Sequence, residues 1–211
     1  MNDAIRPVLA GQKALVVDVA NEHSIAYGCA KAFRTVGAEL AITWLNEKAR
    51  PHVEPLAREL EATITAGLDV AVPGQLEAVF DLIRAGWGQL DILVHSIAFA
   101  PKQDLQGGLL DCSAEGFAKA MDISCHSFVR MAKLAAPLMS DGGTMFAMSY
   151  YGPIGSCRTT TYWGGEGGAR GGVPLSGLRT WSSRNPCARD FTGAVEDASG
   201  IGAERFRALA Q

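Results

Sequence analysis

A chain of 211 residues with a formal net charge of −3 and a pI near 5.8 is long enough to bury one large core, and it has no basic surplus to offer a nucleic acid. Its apolar residues never run to the ~18 in succession that a membrane span needs, and the N-terminal MNDAIRPVLAG lacks a long apolar core of secretory type. Five cysteines (Cys29, Cys112, Cys125, Cys157, Cys187) are odd in number and without metal spacing, and His23, His52, His95 and His126 are scattered, so no metal site is expected and a reduced, cytoplasmic setting is the default.

In chain order, Ala14 to Val17 is a short apolar run of buried-strand type. Asp18 to His23 is a polar turn, and a helix starts at Ser24 with Ile25, Ala26, Cys29, Ala30 and Phe33 expected on one face. Strand, tight turn and helix near an N-terminus is how a dinucleotide fold begins, because the first helix aims backbone N–H groups at a pyrophosphate. The usual glycine fingerprint is absent: Asp18 stands where its first glycine would be, and Gly28 is the first glycine of the helix. Glu39 to Trp44 reads as a second strand, Glu47 to Leu60 as an amphipathic helix, and Thr63 to Val70 as a third strand with Asp69 near its end. Gln75 to Trp87 is a helix with Leu76, Val79, Phe80 and Ile83 at helical spacing. Asp91 to Ser96 is a fourth strand, and Ile97 to Asp111 a loop rich in Gly, Pro and Gln. Ser113 is a plausible N-cap for helix that runs, with a possible break, through Met139. Asp141-Gly142-Gly143 is a turn before a fifth strand, Thr144 to Ser149. Strands separated by helices in this way predict an α/β fold with a doubly wound parallel sheet of Rossmann type.

The blocks ANEHSIAYG, LDV, HSIAFAP, MDIS and MSYYG stand in the order and at the intervals of the enoyl-acyl-carrier-protein reductases, of the short-chain dehydrogenase/reductase superfamily. Over residues 8–152 the chain resembles that family closely. The resemblance implies reduction of a trans-2-enoyl thioester on acyl carrier protein, in fatty acid biosynthesis. In that scheme NADH gives a hydride to Cβ, and the enolate is stabilised at the thioester oxygen. It implies that Ser24 and Ile25 contact the cofactor pyrophosphate, the plain alternative being ordinary helix capping. It implies that Asp69 and Val70 hold the adenine, Asp69 accepting from its amino group. Ile97 then lies with its backbone beside the nicotinamide ribose, Ala100 makes a substrate-side backbone contact, and Tyr150 is the first active-site tyrosine, with Tyr151 in a packing role.

The chain departs from the family at two cofactor-binding positions. Asp18 replaces a glycine that lets the backbone approach the phosphates, and it brings a negative charge toward a dianionic pyrophosphate. Leu45 stands where a polar side chain usually meets the adenosine ribose. Lys48 and Arg50 follow it, which leaves NADPH open, although a solvated helix face is the plainer reading and the resemblance favours NADH.

A larger departure follows Gly152. The family's second tyrosine donates to the carbonyl oxygen, and a lysine beyond it lowers the tyrosine's pKa and holds the ribose. By direct alignment these positions are Thr160 and Gly167, and no lysine follows Lys133. Residues 153–197 read as a low-complexity segment rich in glycine and arginine, and residues 198–211 return briefly to family register at Ala198 to Gly202 before the chain stops at Gln211. A reading-frame shift accounts for this. Arg158 to Thr161, encoded CGA ACT ACA ACN and read one nucleotide earlier after a C, gives Pro-Asn-Tyr-Asn; Glu166 to Ala169, encoded GAA GGC GGC GCN and read one nucleotide later, gives Lys-Ala-Ala. These are the family's motifs at its tyrosine and lysine. The expected organisation is a Rossmann-like core over 1–152, incomplete at its C-terminal side, that does not form the family's homotetramer. The alternative is a catalytically inactive nucleotide-binding remnant, or a damaged gene product.

Overall fold

The computed structural model describes residues 7–105 and 111–148. Its centre is a parallel sheet of five strands: β1 (Lys13–Val17), β2 (Glu39–Trp44), β3 (Ile64–Gly67), β4 (Ile92–His95) and β5 (Thr144–Ala147). The spatial order is β3-β2-β1-β4-β5. The chain therefore winds outward from β1 in one direction, then crosses back to β4 and winds the other way. The predicted doubly wound parallel sheet is what the structure has.

Alternation along the central strands explains why both faces are covered. Leu15 and Val17 of β1 pack with Leu93 and Met145 beneath α3 (Gln75–Gly86), while Ala14 and Val16 pack on the opposite face with Leu40, Ile42 and α1 (Ile25–Thr35). The apolar stripe of α3 is the predicted one, since Leu76, Val79, Phe80 and Ile83 are all buried. In α1 the buried residues are Ala26, Tyr27, Ala30 and Phe33, whereas Ile25 is 49% exposed and Cys29 only partly buried. Ile25 opens the helix at the sheet's edge, beyond the reach of the core, so its place on the apolar face is corrected. Gly37 ends α1 at φ +98, where a Cβ would meet that of Pro7 at 2.9 Å.

Several boundaries also differ from the sequence reading. Helix α2 (Arg50–Glu59) starts later than Glu47, because the Asn46 side chain accepts from the N–H groups of Lys48 (3.0 Å) and Ala49 (3.2 Å) and bends the chain into a turn. Strand β3 stops at Gly67, although Leu68 N–H still reaches the Trp44 carbonyl at 2.8 Å, and Asp69 and Val70 belong to the loop beyond. The loop after β4 contains a short helix, α4 (Lys102–Leu105). The possible break in the long helix is a π-helical turn, Asp122–His126, that joins α5 (Ala114–Met121) to α6 (Ser127–Ala135), and a 3-10 turn Ala136–Leu138 follows. Ser113 caps α5 as predicted, its Oγ accepting from Gly116 N–H at 3.0 Å.

Leu15, on the central strand, is fully buried between elements that cannot close on a void. Leu15→Ala is expected to lower the unfolding free energy by about 3–5 kcal/mol, read as a shift of the urea midpoint at unchanged slope; a loss below ~1 kcal/mol would show that the site collapses freely.

Candidate functional site

In a parallel sheet every strand points the same way, so the residues that follow the strands gather along one edge. Asp18 follows β1, Leu45 follows β2, Asp69 and Val70 follow β3, and Ile97 and Ala100 follow β4. The crevice of such a sheet opens where the winding reverses, here between the C-terminal ends of β1 and β4.

Asp18 has a left-handed backbone, φ +65. Aspartate tolerates this conformation better than most side chains, but glycine adopts it without a steric cost. Asp18 N–H donates to Thr43 Oγ1 at 3.1 Å, and Val19 N–H to the Thr43 carbonyl at 2.9 Å, so Thr43 holds both sides of the turn. Burial, reinforced by the neighbouring Asp69 carboxylate, pushes the Asp18 carboxyl up to about 6. Two of the predicted cofactor residues are thus brought into electrostatic contact.

The turn continues through an Asx arrangement, with His23 N–H on Asn21 Oδ1 at 2.8 Å. Ser24 then caps α1: its Oγ accepts from Tyr27 N–H at 3.3 Å and donates to the Asn21 carbonyl at 2.7 Å. The helix-capping alternative for Ser24 is therefore realised, and capping leaves the N–H groups of Ile25 and Ala26 ahead of the first intrahelical bond. No acidic residue occupies the first turn of α1.

Leu45 is 44% exposed and brings no polar atom to the edge. Arg50 lies over the Trp44 ring at 6.0 Å and pairs with Glu47 of the preceding turn (3.3 Å) and with Glu54 one turn along α2 (2.7 Å). Asp69 sits in a tight turn, its Oδ1 accepting from Ala71 N–H at 2.9 Å and its N–H donating to Gln75 Oε1 at 2.8 Å. The Val70 side chain is buried, and its carbonyl accepts from Arg130 Nη2 at 3.0 Å. Ile97 packs partly buried against the core. Ala100 is half-buried. Tyr150, like Thr160 and Gly167, lies outside the described residues.

The sequence assigns no role to His95, Ser124 or Ser127, although His95 and Ser124 stand in the HSIAFAP and MDIS blocks. His95 is buried at the end of β4 and its Nε2 lies 2.7 Å from Ser127 Oγ. The Ser127 hydroxyl donates to the Ile123 carbonyl at 2.6 Å, so His95 Nε2 carries the hydrogen of the other bond. Burial pushes the imidazole down to about 4, which keeps it neutral. Ser124 was inside the MDIS block all along, and a second hydroxyl one helical turn later was its available signal. Among the described residues no cluster of His, Cys, Asp and Glu could hold a metal ion, and no helix is long and apolar enough to cross a membrane.

Comparison with known proteins gives the family. The model described as "Enoyl-(Acyl carrier protein) reductase" matches residues 19–165. The chain is 42% identical over 145 residues to "Enoyl-[acyl-carrier-protein] reductase [NADH] 1" of Rhizobium meliloti, covering 69% of this chain and 53% of that one. It is 41% identical over 146 residues to the Aquifex aeolicus "Enoyl-[acyl-carrier-protein] reductase [NADH] FabI", covering 69% and 54%. The crystal structure of the Aquifex aeolicus enzyme superimposes with a TM-score of 0.71 at 38% identity, over 77% of this chain and 64% of that one. That of the Anaplasma phagocytophilum reductase in complex with NAD gives 0.68 at 38%, over 73% and 58%. The chain spans little more than half the length of these curated relatives. It belongs to the enoyl-(acyl-carrier-protein) reductase family.

The raised Asp18 carboxyl has a consequence for stability. Its folded pKa lies above the ordinary 3.8, so the folded state gains from it below about pH 4 and loses that gain as pH rises through about 6. Asp18→Asn keeps a side chain that tolerates the left-handed backbone and removes the charge. The variant is expected to be more stable than the parent at pH 8, by up to ~3 kcal/mol, and to converge with it near pH 4. Parallel pH profiles from denaturant melts would contradict this assignment.

Proposed function

We propose that this chain is the cofactor-binding part of an NADH-dependent enoyl-acyl-carrier-protein reductase, one that retains nucleotide binding and has lost most of its turnover. The observation that supports it best is the convergence of Asp18, Ser24, Asp69, Val70 and Ile97 on the strand ends beside the β1/β4 switch, in a chain whose relatives carry that activity in their names. The intended substrate is a trans-2-enoyl chain on acyl carrier protein, in the cytoplasm.

The residues present fit NADH, with one defect. Ser24 and the free first N–H groups of α1 suit a pyrophosphate, Asp69 suits an adenine amino group, and the main chain at Ile97 suits the nicotinamide ribose. The defect is Asp18, which puts a side chain and, above its pKa, a negative charge where the family has glycine. Leu45 contributes nothing to the ribose hydroxyls. Arg50 is occupied by Glu47 and Glu54, which argues against a 2′-phosphate and hence for NADH over NADPH. Bound NADH supplies the hydride; the chain's own residues bind and orient it.

The missing step is protonic. Tyr150 is proposed to stand beside the enoyl carbonyl, with Ala100 contributing a backbone contact to the substrate. The partner tyrosine and lysine positions hold Thr160 and Gly167, which can neither donate an activated phenolic proton nor anchor the ribose by charge. Residues 153–197 are read as a frame-shifted stretch and 198–211 as a return to register; the codons themselves decide this, because recovery of neither Asn-Tyr-Asn nor Lys-Ala-Ala in any frame would make the tail genuine. The homotetramer of the family is not expected to form.

Fluorescence titration with NADH beside an assay with crotonyl thioester tests the reading. Binding is expected without appreciable turnover, the rate falling short of an intact relative by about 10² or more; turnover within tenfold of a relative would overturn the claim of impairment, and failure to bind NADH would overturn the cofactor assignment. Affinity is also expected to weaken as pH rises through about 6, because the Asp18 carboxylate then faces the pyrophosphate. Asp18→Gly should tighten NADH at pH 8 and flatten that pH dependence.

A further inference from the structure

The π-helical turn Asp122–His126 and Ser127, the first residue of α6, make two clasps to the end of β4 and the segment that leaves it. In it the Ser127 N–H reaches back to the Asp122 carbonyl, and it is the Ser127 hydroxyl that serves the Ile123 carbonyl, at 2.6 Å. That hydroxyl accepts in turn from the buried His95, which anchors the turn to the last residue of β4. One helical turn earlier, Ser124 Oγ accepts from Phe99 N–H at 2.9 Å and donates to the Phe99 carbonyl at 3.0 Å. A single hydroxyl thus satisfies both main-chain groups of one loop residue, as a neighbouring strand would. The Lys119 ammonium lies over the ring of the same Phe99 at 5.5 Å.

The two clasps bracket the loop: His95 is held where it begins and Phe99 near its far end, with Ile97 between them. The bonds to Phe99 are solvent-exposed, so they add little to global stability. Their effect is local, on the path of four loop residues. π-turns within α-helices recur at functional sites, and this one presents the Ser124 hydroxyl to the loop that follows β4.

We propose that Ser124 is a positioning residue for the nicotinamide half of the cofactor, acting through the Ile97–Ala100 backbone and not by contact. This rests on the reading of Ile97 given above. Ser124→Ala is expected to release the nicotinamide side of the site and to leave the adenosine-diphosphate side, where Ser24 and Asp69 stand, as it was.

The test uses the full chain and two measurements. Amide hydrogen exchange followed by mass spectrometry should show residues 97–100 exchanging faster in Ser124→Ala, with β1 and β4 unchanged. Titration should show NADH weakened by about fivefold while ADP-ribose, which lacks the nicotinamide, keeps its affinity; Ser124→Thr, which retains the hydroxyl, should restore both results. Unaltered exchange in the loop overturns the proposal, as does equal weakening of NADH and ADP-ribose, the mark of a merely structural role. If the parent chain binds neither nucleotide, the cofactor assignment itself has failed and the inference goes with it. If the parent binds both and the variant separates nothing, the inference alone has failed.

Discussion

A parallel strand covered on both faces can offer chemistry to solvent only at its ends. Leu15, Val16 and Val17 are fully buried, as are Leu93 and Val94 beside them, so β1 and β4 have no accessible face. Whatever this domain binds must be met by the loops beyond the strands. Because the strands run in parallel, those loops share an edge, and because the winding reverses between β1 and β4, they part there into a crevice. The opposite edge is tied shut: Asp91 accepts from Lys13 N–H through its side chain at 2.7 Å, and its carbonyl accepts from Thr144 N–H at 2.8 Å.

At the C-terminal edge of the sheet Asp18 is the residue at odds with its setting. It takes up a left-handed backbone suited to glycine, loses solvent, and faces a second carboxylate. Thr43 supports the turn through side chain and main chain alike, so the geometry survives the substitution while the electrostatics do not. The same aspartate therefore weakens the fold and the proposed pyrophosphate site together, both through its charged form.

Much of this was legible from residue order. The runs ALVV, ELAITW and DILVHS mark strands because β-branched and apolar residues dominate them, and the helical spacing of Leu76 to Ile83 predicts the buried stripe of α3. Boundaries were less legible where a side chain competes with the main chain, as Asn46 does in delaying α2. The left-handed conformation of Asp18 was signalled only by the glycine of the family. The His95–Ser127 pair could not be read at all, since it joins residues 32 apart through a contact that only the packed sheet and helix create. A break in the long helix was legible, but its π character was not: over five residues an apolar pattern does not separate a π-turn from an α-helix.

The central claim is that the crevice at the β1/β4 switch is a nucleotide site. Backbone amide resonances followed during titration with NADH test it most directly. The account predicts the largest shifts at Val19, Ile25, Val70 and Ile97, with Asp91 and Thr144 at the opposite edge silent. Shifts concentrated at Asp91 and Thr144, or none at all at saturating nucleotide, would contradict it.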